Sequence, residues 1–187
     1  VVVQSNVRLR DGMIGPDDGS RLTESCHRLE LSTITVVDTP GTNMLEIKAL
    51  TRRLASKQAV GLVIVDYLQL MMSDGRYENR QQEITKISRS LKIMARELKI
   101  PVLAISQLSR AVESRTPPRP QLSDLRESGA IEQDADMVMF IYRPKNEAGH
   151  MENMAELIVA KHRNGPTGSI DLVFQDKYTS FSSAARV

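Results

Sequence analysis

The chain has 187 residues, 41% hydrophobic and 26% charged, enough for one globular domain with a sizeable core. A net charge of +2 does not by itself mark a nucleic-acid binder, and the single cysteine, Cys26, excludes an intramolecular disulfide and suits a reducing compartment. No apolar run approaches the ~20 residues of a membrane span, and the opening VVVQSNVRLRDG lacks both the layout of a signal peptide and an initiator Met, so the chain is expected to be cut from the middle of a longer cytoplasmic protein.

Residues 1–33 are expected to form a helical or loop lead-in to the core. The first strand is predicted at ITVVD (34–38), running into TPGTN, where Thr42 or Asn43 can cap a helix over 44–58. That helix has Met44, Ile47, Leu50 and Leu54 at helical spacing, with Lys48, Arg52, Arg53 and Lys57 on a solvated face. GLVIVD (61–66) is the second strand. The clearest helix is 78–100, with Ile84, Ile87, Leu91, Met94 and Leu98 in one stripe, and PVLAIS (101–106) is a third strand. Continuous apolar strands separated by amphipathic helices predict a parallel sheet covered on both faces.

Past residue 115 the pattern changes. A Pro-rich loop (116–121) and a polar stretch, SDLRESGAIEQDAD (123–136), precede three strands at 137–143, 155–162 and 169–174. Their short polar connections predict antiparallel hairpins. With no Trp, three Phe and four Tyr, the core falls to aliphatic residues, and Met71, Met72, Met94, Met137, Met139, Met151 and Met154 are expected to act as core filler.

Asp66 ends the second strand. A carboxylate is costly to bury unpaired, and the carboxyl end of a parallel strand opens onto the crevice where α/β folds bind ligands. Such an aspartate either caps the following turn or holds Mg²⁺ through its waters, and Mg²⁺ in turn holds nucleotide phosphates. Asp38 ends its strand similarly, but Thr-Pro-Gly follows and makes capping the better role. Gln107 stands at the end of the neighbouring strand, where an amide can orient water or touch a terminal phosphate. Lys161 and Arg163, two apart at a strand end, project on one side of a hairpin.

VIVDYLQLM, the stretch ENRQQEITKISRSLKIMARELKIPVLAISQLSR, LSDLRESGAIEQDAD and AKHRNGPTG together resemble the ATPase domain of DnaB-type replicative DNA helicases, collinearly from Ile34 to Phe181. The resemblance implies an α/β, RecA-like P-loop NTPase core: a mainly parallel sheet flanked by helices, then C-terminal antiparallel hairpins. It implies a homo-hexameric ring that uses ATP and Mg²⁺ to move 5′-to-3′ on single-stranded DNA, with primase and a helicase loader as partners. Carried over by position, Asp66 is the Walker B aspartate that holds Mg²⁺ through water, and Gln107 senses the γ-phosphate. Arg126, Glu127 and Gly129 belong to the loop that touches the DNA backbone. Lys161 and Arg163 reach a neighbouring subunit's γ-phosphate; His162 between them has no assigned role.

GxxxxGK[ST] is absent from these residues. The resemblance places that phosphate loop upstream, with VVVQSNVRLRDG as the tail of a following helix, so the core over 34–187 is expected to be incomplete at its N-terminus and inactive alone as an ATPase. Residues 9–30 match weakly and have no assigned structure. The alternatives are a RecA-superfamily recombinase, against which DYLQL and RESGAIEQDAD argue, and a non-catalytic module that binds single strands or a ring.

Overall fold

The computed structural model describes residues 15–39, 41–72, 79–146 and 149–184, apart from the side chains of Pro16, Asp17, Arg126, Glu127 and Ser128. The helical tail expected at 1–12 lies outside the described residues. The architecture is α/β, with a parallel pair of strands and a separate four-stranded sheet among the described residues. Elements follow as α1 (Pro16–Glu30), α2 (Met44–Ala55), β1 (Val63–Val65), α3 (Arg80–Leu98), β2 (Val102–Ala104), α4 (Gly129–Asp134), β3 (Met137–Tyr142), β4 (Met154–His162), β5 (Gly168–Gln175) and β6 (Ser180–Ser183). Short 3-10 stretches cover Leu68–Leu70, Arg110–Ser114 and Leu122–Ser128. The chain divides into two compact units, residues 39–142 with 158–169, and the remaining segments.

In the first unit the helix boundaries follow local chemistry. Asn43 caps α2 by accepting the Glu46 N–H at 2.9 Å, while the Glu46 carboxylate accepts the Asn43 N–H at 3.3 Å. Asn79 caps α3 by accepting from Gln82 at 2.9 Å, and α3 ends where Lys99 turns left-handed at φ 54° ahead of Pro101. Ile84, Ile87, Leu91 and Met94 pack with Val65, Leu68, Met71 and Met44 into one core, with Leu98 partly buried at its edge. The solvated basic face expected on α2 is only half so: Lys48 meets Glu97 of α3 at 2.6 Å and Arg52 pairs with the same carboxylate.

β1 and β2 are parallel, with Val63, Ile64 and Val65 opposite Val102, Leu103 and Ala104. Both are shorter than their apolar runs. One face packs on α3; Leu62, Ile64, Leu103 and Ile105 are exposed, so the expected cover on both faces is absent among the described residues. Residues 34–38 form no ladder, and Ile34, Val36 and Val37 are exposed. An apolar run becomes a strand only where a neighbour takes its N–H and C=O groups, and no described residue does so here.

The strands of the four-stranded sheet lie in the order β3-β4-β5-β6. Val138 and Phe140 of β3 join Leu125 and Ile158 in a second core cluster. Strand alternation turns Met137 and Met139 outward, and Met72, Met151 and Met154 are also exposed. Only Met71 and Met94 of the expected filler methionines are buried. In the other unit β5 pairs antiparallel with β6, Phe174 opposite Phe181, and Arg143 lies 3.9 Å above the Phe174 ring. α1 forms within the stretch expected to be a helical or loop lead-in, with Pro16 in its first turn.

Candidate functional site

The carboxyl ends of β1 and β2 are tied together before any ligand is considered. Ile105 N–H donates to Val65 O and Leu68 N–H to Ile105 O, each at 2.9 Å. The Gln69 side chain then bridges the two ends: its amide nitrogen donates to Ser106 Oγ at 3.0 Å, and its oxygen accepts the Gln107 N–H at 3.2 Å. Arg80, in the first turn of α3, donates to the carbonyls of Gln69 at 2.6 Å and Met71 at 3.3 Å. The backbone around Asp66 and Gln107 is thus fixed from both sides.

Their side chains are left over. Asp66, directly after β1, is exposed, and neither its carboxylate nor the Gln107 side-chain amide has a hydrogen-bond or ion-pair partner among the described residues. A helix cap, the alternative role for Asp66, would show such a bond. No group of three or more His, Cys, Asp or Glu able to cage a metal occurs among the described residues. A lone strand-end carboxylate suits a hard cation that keeps its waters and takes most ligands from a nucleotide.

The polar stretch after Gln121 is helical rather than loop. Asp124 explains why: its carboxylate accepts the Gln121 N–H at 2.7 Å and takes both Arg115 η nitrogens, at 2.7 and 3.1 Å. Arg115 also donates to Arg119 O at 2.8 Å, closing the Pro-rich loop over the Leu122–Ser128 turn. Hydrogen bonding from Arg115, then from Gln121, holds Asp124 below the ordinary carboxylate range against the opposing effect of burial. Asp124→Ala is expected to cost about 2 to 4 kcal/mol, for the lost cap and charge-assisted bonds, read by denaturant unfolding. Because folding lowers this pKa, the contribution is whole above the unfolded value of about 3.9 and falls away as pH drops below it.

Arg126 and Glu127 lie in the backbone of that 3-10 stretch; their side chains are outside the described residues. Gly129 opens α4 in ordinary helical conformation (φ −50°), exposed, with open space where a Cβ would stand. No strain demands glycine there.

Lys161 and Arg163 do come together on one side of the β4 end. Lys161 Nζ donates to Glu132 O, and Arg163 Nη2 donates to Gln133 O at 3.0 Å, both carbonyls near the end of α4. Arg163 N–H donates to Asp136 O at 2.8 Å, and its guanidinium lies 3.3 Å from the Asp136 carboxylate, which also pairs with Lys92 of α3. The Lys92 hydrogen bond, helped by the charges of Lys92, Arg163 and Lys161, lowers the Asp136 pKa against burial. His162 lies against Gly165, where any Cβ would collide with the imidazole. Lys161 and Arg163 make no hydrogen bond or ion pair with Asp66 or Gln107 among the described residues.

Gln69, Arg80, Asp124 and Asp136 were not singled out from sequence. Gln69 alone carried a signal there, as an amide interrupting an apolar run. An open groove of about 540 Å³, lined by residues including Arg119, Leu122, Ile158 and Ser169, contains none of the predicted site residues. No helix among the described residues is long and apolar enough to cross a membrane.

Residues 2–183 match the family described as the DnaB-like helicase C terminal domain. The chain is 48% identical to the replicative DNA helicase DnaB of Geobacillus stearothermophilus and 47% identical to the replicative DNA helicase DnaC of Bacillus subtilis, in each case over 95% of its own length and 40% of the relative's. It thus spans about two-fifths of these curated relatives. Among solved structures it is similar to the ATPase domain of G40P, with a TM-score of 0.88 and 37% identity over 97% of this chain and 66% of that one. It also resembles a DnaB-like replicative helicase described with its interactions with primase, with a TM-score of 0.84 and 40% identity, over 91% and 42% of the two chains.

Proposed function

The chain belongs to the DnaB-like helicase C-terminal domain family, and from that premise we propose that it is the motor portion of an ATP-dependent replicative DNA helicase. The observation that carries this reading is the pair of polar side chains, Asp66 and Gln107, without a partner among the described residues, on neighbouring parallel strand ends whose backbone is locked by Gln69. Asp66 would hold Mg²⁺ through water. When bound, Mg²⁺ supplies charge neutralisation on the nucleotide's phosphates. Gln107 is suited to orient the attacking water or to register the terminal phosphate, because an amide both donates and accepts but cannot act as a base.

Arg126, Glu127 and Gly129 would face single-stranded DNA. A guanidinium and backbone N–H groups contact phosphates whatever the base, which suits a motor that must cross any sequence. Glu127 would orient its neighbours rather than meet a phosphate. Lys161 and Arg163 would serve the nucleotide of an adjacent subunit, in keeping with the absence, among the described residues, of a hydrogen bond or ion pair to Asp66. That requires a homo-oligomer, a hexameric ring in this reading, working in the cytoplasm with primase and a loader as partners.

The test is ATP hydrolysis by the full-length protein with and without single-stranded DNA. DNA-stimulated turnover is expected, and its absence would leave a non-catalytic binding module. In the same protein, Arg126→Ala is expected to weaken single-strand affinity across all sequences and to flatten its dependence on log salt by about one unit. Unchanged affinity and slope would remove 126–129 from the DNA interface.

A further inference from the structure

The two ends of α4 carry different parts of the proposed machinery. α4 starts at Gly129, the last residue of the candidate DNA segment, and its closing carbonyls at Glu132 and Gln133 receive Lys161 and Arg163. Both η nitrogens of Arg163 are engaged within its own chain, one by Gln133 O and one by the Asp136 carboxylate. A guanidinium so occupied is oriented toward its own chain, with fewer of its five N–H donors left for a phosphate. Asp136 itself is anchored by Lys92, on the helix that carries the main core stripe.

We propose that Asp136 is a positioning residue: anchored by Lys92, it forms with the end of α4 a resting seat that withholds Arg163 from the neighbouring subunit's nucleotide until DNA contact at 126–129 shifts α4. The proposal rests on the in-trans reading of Arg163 given above. The seat is shallow, since the Arg163 and Asp136 side chains are 50% and 58% exposed. An exposed pair of this kind is weak enough for a polyanionic phosphate to outcompete, yet strong enough to bias where the side chain rests. A six-residue helix with one end on each site can transmit a small displacement without a long relay.

The experiment is ATP hydrolysis by the full-length protein carrying Asp136→Asn, which removes the charge and keeps the shape. Turnover without DNA is expected to rise roughly two- to fivefold with KM unchanged, as the exposed pair is lost. Turnover at saturating DNA is expected to stay within about twofold, so the stimulation ratio falls. A merely structural Asp136 would lower both rates or leave both alone. Lys92→Gln loosens the same carboxylate from the other side and is expected to raise the DNA-free rate likewise, which keeps the test open if Asp136→Asn folds poorly. A DNA-free rate that stays level or falls in the folded variants overturns the seat. Arg163→Ala in parallel separates the two ideas. If it abolishes hydrolysis while the other variants leave the DNA-free rate unchanged, the seat alone fails; if it leaves hydrolysis intact, the in-trans reading fails and the seat with it.

Discussion

Arg163→Ala, made in the full-length protein, is expected to lower ATP hydrolysis by about 10³- to 10⁵-fold while leaving nucleotide binding nearly unchanged. The size follows from where the charge is needed. As the terminal phosphoryl group transfers, negative charge spreads over its oxygens, and a guanidinium placed there stabilises the transition state more than the bound nucleotide. A group that acts only in the transition state moves kcat and spares affinity. The substitution should also be gentle on the fold. Arg163 is half exposed, and the tie from its backbone N–H to Asp136 O at 2.8 Å survives in alanine. An intact melting transition with near-zero turnover is therefore the expected pattern. A loss of only a few-fold would show that Arg163 is a tip residue of the hairpin and no more.

What could be read from the sequence, and what could not, divides along the range of the interactions. The stripe Ile84, Ile87, Leu91 and Met94 predicted the buried face of α3 because helical spacing is a local property, and the same residues form the main core. Asn43 and Asn79 set their helix starts through bonds three residues long, and Asn43 was among the predicted caps. Residues 34–38 carried an equally plain apolar run and form no strand, since a strand depends on a neighbour that its own sequence does not specify. The 3-10 stretch at Leu122–Ser128 was hidden for a related reason. It depends on Asp124 finding Arg115 nine residues back, and charge pattern alone does not announce that pairing.

The site shows the same split. Asp66 and Gln107 were legible as polar residues at the ends of apolar runs, and the structure places those ends side by side. Asp136 was not, and Gln69 showed only as an amide interrupting an apolar run, because their importance lies in which backbone and side-chain groups they meet 27 and 38 residues away. Lys161 and Arg163 were legible as a pair on one side of a strand. That they rest on the carbonyl end of α4 was not, since it requires the packing of the helix that follows the candidate DNA segment.

Asp66→Asn is expected to lower hydrolysis by about 10² to 10⁴, the equivalent of losing several kcal/mol of metal-assisted charge stabilisation. Nucleotide affinity measured without Mg²⁺ should be unchanged, and the enhancement that Mg²⁺ gives should shrink, because an amide is a far weaker ligand for a hard cation than a carboxylate. Thermal stability should not move, since Asp66 is exposed and bonds to nothing among the described residues. Mixing this variant with Arg163→Ala then tests the architecture directly. Each variant alone is expected to be nearly inactive. In a mixed ring, an Arg163→Ala subunit keeps its Asp66, and an adjacent Asp66→Asn subunit keeps its Arg163. One interface arrangement in four therefore brings an intact carboxylate to an intact guanidinium, and recovery of about a quarter of wild-type turnover is expected at equal mixing if interfaces act independently. Were both groups to serve the same subunit's nucleotide, no arrangement would restore a complete site. Mixed rings that stay silent, with subunit exchange verified by an inert label, would place Arg163 in cis and remove the reason for its separation from Asp66.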